Sequence, residues 1–224
     1  MSQVVSGVYR VLIPETYGNA YVVVRGGRAV IVDTGIPGKA QAILNALQSA
    51  GLSPSSVEAI VLTHFHLDHS GSAEELRAAT GAKVYVHEAD APYLQGLQPP
   101  PFPKEAPREA LEAYRFFKPV RPDSLLKDGD EVAGLRVIHI PGHTPGSIAL
   151  YDGTLLFSGD TLNVSEGRVQ GPPPQYTADM RQAIASVRKL LSLRFDVLLP
   201  GHGDPVVGRA SEKALQDLAD LLKG

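Results

Sequence analysis

The chain has 224 residues, 43% of them hydrophobic, enough to bury a sizeable core, and a net charge of −3 offers no broad basic surface for nucleic acid. It has no cysteine, which excludes disulfides, thiolate metal ligands and a cysteine nucleophile together. No basic segment followed by an apolar one opens the sequence, and no apolar run reaches the roughly 20 residues that cross a bilayer. A cytoplasmic protein with neither membrane nor nucleic acid among its partners is expected.

Residues 8–13, 20–25 and 29–32 read as three short strands, the last two joined at Gly26-Gly27 as a hairpin. The third runs into Asp33-Thr34-Gly35. Pro37-Gly38 then opens a helix whose Ala40, Ile43, Leu44 and Leu47 share one face, closed by Gly51 and followed by Pro54. The apolar run 59–62 reads as a buried strand that delivers Thr63-His64-Phe65-His66-Leu67-Asp68-His69. Polar groups crowded in this way cost free energy unless something satisfies them. Strand side chains alternate faces, so a loop leaving the strand, not the strand itself, must aim them at one place. Imidazole nitrogen and carboxylate oxygen are the ligand set of zinc and related divalent ions.

A helix over 73–79, ended by Gly81, leads to a strand at 84–86, and residues 88–95 are expected to be helical. Such alternation with short connections indicates an α/β architecture. Around 99–122 the character changes. Pro99, Pro100, Pro101, Pro103 and Pro107 forbid regular structure at first, and a helix over 109–118 carries Leu111, Tyr114, Phe116 and Phe117. An insertion of this length is expected to be a lid or binding loop.

A strand at 135–140 runs into Pro141-Gly142-His143-Thr144-Pro145-Gly146-Ser147, a loop fixed around one histidine. Residues 148–151 and 154–157 form a hairpin across Asp152-Gly153 and end in Ser158-Gly159-Asp160-Thr161. The loop 163–176 follows, then a helix with Met180, Ile184, Val187 and Leu191 on one face, a strand at 197–199 and Pro200-Gly201-His202-Gly203. A last helix over 211–222 has its apolar stripe at Ala214, Leu218, Leu221 and Leu222. Hairpin, Asp33-Thr34, helix, strand and His64 loop in the first half answer to hairpin, Asp160-Thr161, helix, strand and His202 loop in the second. That parallel points to a duplication: two sheets face to face, helices outside, ligand loops at one edge, in one domain spanning 1–224.

His64-Phe65-His66-Leu67-Asp68-His69 matches the pattern H-x-H-x-D-H, and from about residue 7 to residue 207 the chain resembles the metallo-beta-lactamase superfamily. The resemblance implies a four-layer αββα sandwich. It implies that His64, His66 and His143 hold one metal, that Asp68, His69 and His202 hold another, and that Asp160 bridges both. Two divalent ions per chain follow from it, zinc in the first place, with iron or manganese as substitutes. It also implies a hydrolase in which a metal-bound hydroxide cleaves a small ester, thioester or lactone, with Asp68 orienting the nucleophile and passing a proton to the leaving group.

Departures from named members narrow the choice. Beta-lactamases with a cysteine at the Asp160 position are excluded. The glyoxalase II type is the most similar in motif, through Gly142-His143-Thr144-Pro145-Gly146-Ser147, but its C-terminal helical domain has no counterpart, and Asp204 and Pro205 stand near its expected aromatic residue. Acyl-homoserine lactonases place a tyrosine where this chain has Asn163. Three other readings stay open: a mononuclear iron dioxygenase acting on persulfides, a phosphodiesterase, and a metal-dependent binding protein without catalysis. Phe102, Tyr114, Phe116, Phe117, Arg168 and Tyr176 are the substrate-contact candidates on the two long loops, and a homodimer is compatible with the sequence. His139 is expected to be structural, His87 to cap a turn or lie at the surface, and Asp33 to support a ligand imidazole.

Overall fold

In the computed structural model, which describes residues 1–114 and 118–222, two large sheets lie face to face. The first orders seven strands as β1 (Ser2–Val5), β2 (Val8–Ile13), β3 (Gly18–Arg25), β4 (Arg28–Val32), β5 (Val57–Val61), β6 (Lys83–His87) and β7 (Ser124–Leu126). Pairing is antiparallel from β1 to β4 and parallel from β4 to β7. The second sheet uses β8 (Glu131–Val132), β9 (Leu135–His139), β10 (Ile148–Tyr151) and β11 (Leu155–Gly159). After a separate hairpin of β12 (Asn163–Ser165) and β13 (Arg168–Gln170), it is completed by β14 (Val197–Pro200) and β15 (Val206–Val207). Its spatial order is β15-β14-β11-β10-β9-β8, with β11 and β14 parallel.

Four layers follow from the period of two along the inner strands. On β3 and β4, Tyr21, Val23, Val30 and Val32 face the second sheet and meet Val137, Leu150, Phe157 and Leu199. Their neighbours Val22 and Ile31 turn outward against Ile43 and Leu47 of α1 (Ala40–Ser49). Ile138, Leu156 and Leu198 of the second sheet turn outward against Val187 and Leu190 of α6 (Met180–Leu191). Between those two outer helices in sequence lie α2 (Leu67–Ser70), α3 (Ala73–Thr80), α4 (Ala91–Leu94) and α5 (Arg108–Ala113), and α7 (Ala210–Asp217) follows. Strands covered on both faces read as continuous apolar runs, as Val-Ile-Val at 30–32 does. Among the described residues no helix is long and apolar enough to cross a membrane.

The halves repeat one topology. The β3–β4 hairpin, α1 and the parallel strand β5 correspond to the β10–β11 hairpin, α6 and the parallel strand β14. Several local expectations are corrected. The helix expected over 88–95 is reduced to α4, because Asp90 N donates to His87 O at 3.0 Å and closes a turn first. The helix expected over 109–118 is α5 and begins at Arg108; Phe116 and Phe117 lie outside the described residues. The last helix stops at Asp217 instead of 222, and the loop 163–176 contains the β12–β13 hairpin.

Candidate metal centre

The ligand-type residues stand at one edge of the two sheets, on loops that follow strands and, for Asp68 and His69, on the short helix α2. Past β5, Thr63 N and Thr63 Oγ1 both donate to the Asp33 carboxylate, each at 2.7 Å, which holds the start of the histidine loop against the end of β4. His66 O accepts from His69 N and Ser70 N, so the chain winds into α2 and carries Asp68 and His69 round to the same side. The second sheet supplies the rest. His143 follows β9, Asp160 follows β11 and His202 follows β14.

Three groups of ligand atoms result, each within 4.8 Å of one another: His64, His66 and His143; His64, His69 and Asp160; Asp68, His69 and His202. His66 Nδ1 lies 3.0 Å from His143 Nε2. His69 Nε2 lies 3.3 Å from His202 Nε2 and 3.3 Å from Asp160 Oδ1. Asp160 Oδ2 lies 3.5 Å from His143 and 3.4 Å from His202, so this one carboxylate faces both ends of the cluster. Asp68 Oδ2 is 3.2 Å from His202 Nε2. A side chain at position 201 would put its Cβ 2.2 Å from Asp160 Oδ1, and only glycine leaves that approach open.

Four of the imidazoles have the outer nitrogen engaged, which fixes their tautomer and orientation. His69 Nδ1 donates to Asp33 Oδ2 at 2.9 Å, His202 Nδ1 to Thr16 O at 3.1 Å, and His143 Nδ1 to Thr177 Oγ1 at 3.1 Å. The Thr63 hydroxyl spends its proton on Asp33, so its oxygen accepts from His64 Nδ1 at 3.0 Å. Nε2 of each therefore points into the cluster. His64 Nε2 is buried there with no hydrogen-bond partner, and Asp160 Oδ1 makes no well-formed hydrogen bond and has only its contact with the His69 ring at 3.3 Å. Leaving such atoms bare costs about 1–3 kcal/mol each, and a cation between them is what the donor set fits.

The electrostatics divide the site. Burial, with the neighbouring imidazoles, drives His64 and His66 well below the ordinary histidine value and takes His143 down to about 4. At the other end burial also opposes charge, but carboxylates overcome it. Asp160, Asp68 and Asp33 hold His69 well above its usual value, and Asp160 and Asp68 raise His202 to about 10. Against their own burial, Asp68 and Asp160 are correspondingly held below the carboxylate range by His69 and His202. The carboxylates at this end thus favour positive charge where a divalent ion would sit.

A cleft of about 1210 Å³ opens over the cluster. Phe102, Tyr114 and Tyr176 line it. The Phe102 ring stacks on His66 at 5.1 Å, and Tyr114 meets Phe102 edge-on at 5.4 Å. Leu67 N donates to Tyr114 Oη at 3.2 Å, so the insertion also braces α2. Arg168 is not among the lining residues. It points away on β13, 70% exposed and 3.9 Å from Asp217, because the unforeseen hairpin reverses its side of the loop. His87 caps a turn, as expected, but does not lie at the surface. It is buried, stacks on His139 at 3.9 Å, and is pushed down to about 4 by burial and by that ring, while its Nδ1 accepts from Ala89 N. His139 Nε2 donates to Pro145 O at 2.9 Å. Sequence reasoning missed Arg10, Thr16, Asp90 and Thr177. Only Asp90 carries a local signal, an Asp before Ala91-Pro92, and that signal reads as a helix cap.

Comparison with known proteins gives the family of the chain. The model of the metallo-beta-lactamase superfamily matches residues 13–202. YflN of Bacillus subtilis (strain 168), described as a probable metallo-hydrolase, is 30% identical over 219 residues, 86% of this chain and 82% of its own. A hydroxyacylglutathione hydrolase of Methylobacillus flagellatus is 35% identical over 159 residues, and the match spans 70% of this chain but only 52% of that enzyme. The crystal structure of TTHA1623 in a di-iron-bound form superposes with a TM-score of 0.70 at 34% identity, covering 89% of this chain and 94% of that one. This chain belongs to the metallo-beta-lactamase superfamily.

Proposed function

We propose that the chain is a metal-dependent hydrolase that holds two divalent ions and cleaves a thioester or a related ester. The observation that carries this reading is the convergence of the ligand atoms on buried His64 Nε2, which has no hydrogen-bond partner, and on Asp160, whose two oxygens face both ends of the cluster. His64, His66 and His143 would hold one ion, Asp68, His69 and His202 the other, and Asp160 would reach both through its two oxygens. Bound in this way, divalent ions lower the pKa of water towards neutrality and neutralise charge that develops on a carbonyl oxygen. Zinc is the proposed metal. The di-iron form of TTHA1623 keeps iron as its rival.

The chain's own groups supply the remainder. Asp68 keeps 30% of its side chain exposed at the floor of the cleft, where it can pass a proton between the nucleophile and the leaving group. Phe102, stacked on His66, keeps water from one side of the cluster. The cleft exceeds the roughly 300–1,000 Å³ of an ordinary small-ligand site, which suits an extended leaving group beyond a small acyl unit. Arg10 is the only lysine or arginine among the described residues that line it. Its Nε donates to Asn19 and its Nη1 to Asp204, whose side chain is 86% exposed, so a carboxylate on the leaving group can take the place of Asp204. A hydroxyacylglutathione is by name a thioester of this kind, and similarity to its hydrolases supports the assignment.

Residues 1–224 are taken as one domain acting on a small molecule in the cytoplasm. Metal content of protein purified without added metal, followed by assay on acyl-glutathione thioesters, p-nitrophenyl esters, homoserine lactones, bis-p-nitrophenyl phosphate and nitrocefin, tests the reading. Two ions per chain and preferred turnover of thioesters are expected. One iron per chain with oxygen uptake on glutathione persulfide, and no hydrolysis, would replace the hydrolase by a dioxygenase.

A further inference from the structure

Asp90 closes the turn between β6 and α4 and is fully buried. It occupies the N-cap position of α4, where an aspartate ordinarily accepts from its own helix, yet it makes no side-chain cap bond there. Its carboxylate is used elsewhere. Oδ2 accepts from Phe65 N at 2.9 Å and from Thr144 Oγ1 at 2.7 Å, and Oδ1 accepts from Gly146 N at 2.5 Å. Phe65 stands between His64 and His66, and Thr144 directly follows His143. One buried carboxylate therefore grips the two loops that bear the three-histidine group, and it bonds neither to α2 nor to the loops of Asp160 and His202.

The grip is specific in shape. A Cβ at position 146 would fall 2.5 Å from Asp90 N and 2.7 Å from the Asp90 carboxyl carbon, so glycine is needed for the loop to close on the carboxylate. The same turn reaches the His143 loop a second time. His87, whose carbonyl accepts from Asp90 N, stacks on His139, and His139 donates to Pro145 O. Among the described residues no lysine or arginine pairs with Asp90, and its carboxylate accepts from three neutral donors, which is costly for a buried carboxylate unless rigid placement of these loops matters.

We propose that Asp90 is the positioning residue of the three-histidine half of the site, setting the separation of the His64-His66 loop from the His143 loop and thereby the affinity of that half for its ion. The proposal rests on the metal assignment above, not on the substrate. Partners outside the ligand set typically change metal affinity by about 10- to 100-fold, and an effect confined to one of two ions is what a general loss of stability would not give.

The test uses the full chain loaded with zinc, as wild type, Asp90→Asn and Thr144→Val. Release of each ion to a chromophoric chelator is followed in time, beside thermal unfolding and the d–d absorption of the cobalt-substituted proteins. In Asp90→Asn one ion is expected to leave about 10- to 100-fold faster while the other leaves at the wild-type rate, with only part of the cobalt spectrum altered. Thr144→Val, which removes one donor of three, should show a smaller change in the same ion, and it decides alone if Asp90→Asn does not fold. Equal acceleration of both ions, or no change in either, overturns the role of Asp90. A wild-type chain that takes up no divalent ion overturns the metal assignment itself, and this proposal with it.

Discussion

Asp33 Oδ2 lies 2.9 Å from His69 Nδ1, and this buried contact orients the imidazole whose Nε2 stands 3.3 Å from both Asp160 and His202. Asp33 also sits at a positive φ of 58°, a conformation that aspartate and asparagine tolerate better than most residues. Asp33→Ala should therefore lose about 3 kcal/mol of stability, since it strands His69 and both donors of Thr63. Asp33→Asn should lose less. Denaturant unfolding of the two variants checks the order, and equal losses would contradict the orienting role.

Proton release should accompany metal uptake. His69 is held above its ordinary value and His202 near 10 by the carboxylates around them, so an ion entering this end competes with protons. Apparent metal affinity is expected to rise with pH, and calorimetry in buffers of different ionisation enthalpy should detect the released protons. For the metal-free protein the sign is opposite. A raised histidine stabilises fully below its unfolded value of about 6.5 and loses that contribution as pH climbs through the folded value. Stability of the metal-free chain should fall between about pH 6.5 and 10, and a flat profile there would contradict the pairing of His202 with Asp68 and Asp160.

His87 acts in the acid range. Its folded value of about 4 lies below the unfolded value of about 6.5, so the unfolded chain takes the proton first. The contribution is present above pH 6.5 and disappears as pH falls towards 4. His87→Phe, which keeps a ring against His139, should flatten this part of the stability curve. An unchanged acid limb would show that the stacked pair does not matter there.

Arg10→Met should lower kcat/KM about 10- to 100-fold for a thioester whose leaving group carries a carboxylate, and leave a neutral ester within about twofold. An equal fall for both substrates would mean that Arg10 only steadies Asn19, which itself donates to Pro200 O and Gly203 O.

Phe102→Ala removes the ring over His66 and should raise KM for every accepted substrate several-fold, with a smaller change in kcat. If KM does not move, the 99–114 segment is packing alone.

Much of the architecture was legible because apolar runs of strand length end in loops dense with Gly, Pro and His. Residues 59–62, 135–140 and 197–199 announce the strands that precede His64, His143 and His202. The repeat of hairpin, helix and strand carried the two-sheet arrangement. What escaped depends on long-range partners. β12 and β13 have three residues each, too few to show a period, so nothing local in the sequence turns Arg168 away from the cleft. Asp90 looks like a helix cap, and only the fold brings Phe65, Thr144 and Gly146 to it. His87 ends a strand in a polar context, and nothing local announces His139 against its face.

His202 Nδ1 donates to Thr16 O across 186 positions of sequence, and the loop it belongs to is tied to β3 through Asn19. The ligand cluster therefore closes only after the first strands have met the last. Nascent chain cannot complete the cluster before His202 has emerged, so a fully loaded site stabilises the folded domain by mass action. Chelation, by the same coupling, would lower the stability of the whole assembly instead of loosening one loop alone.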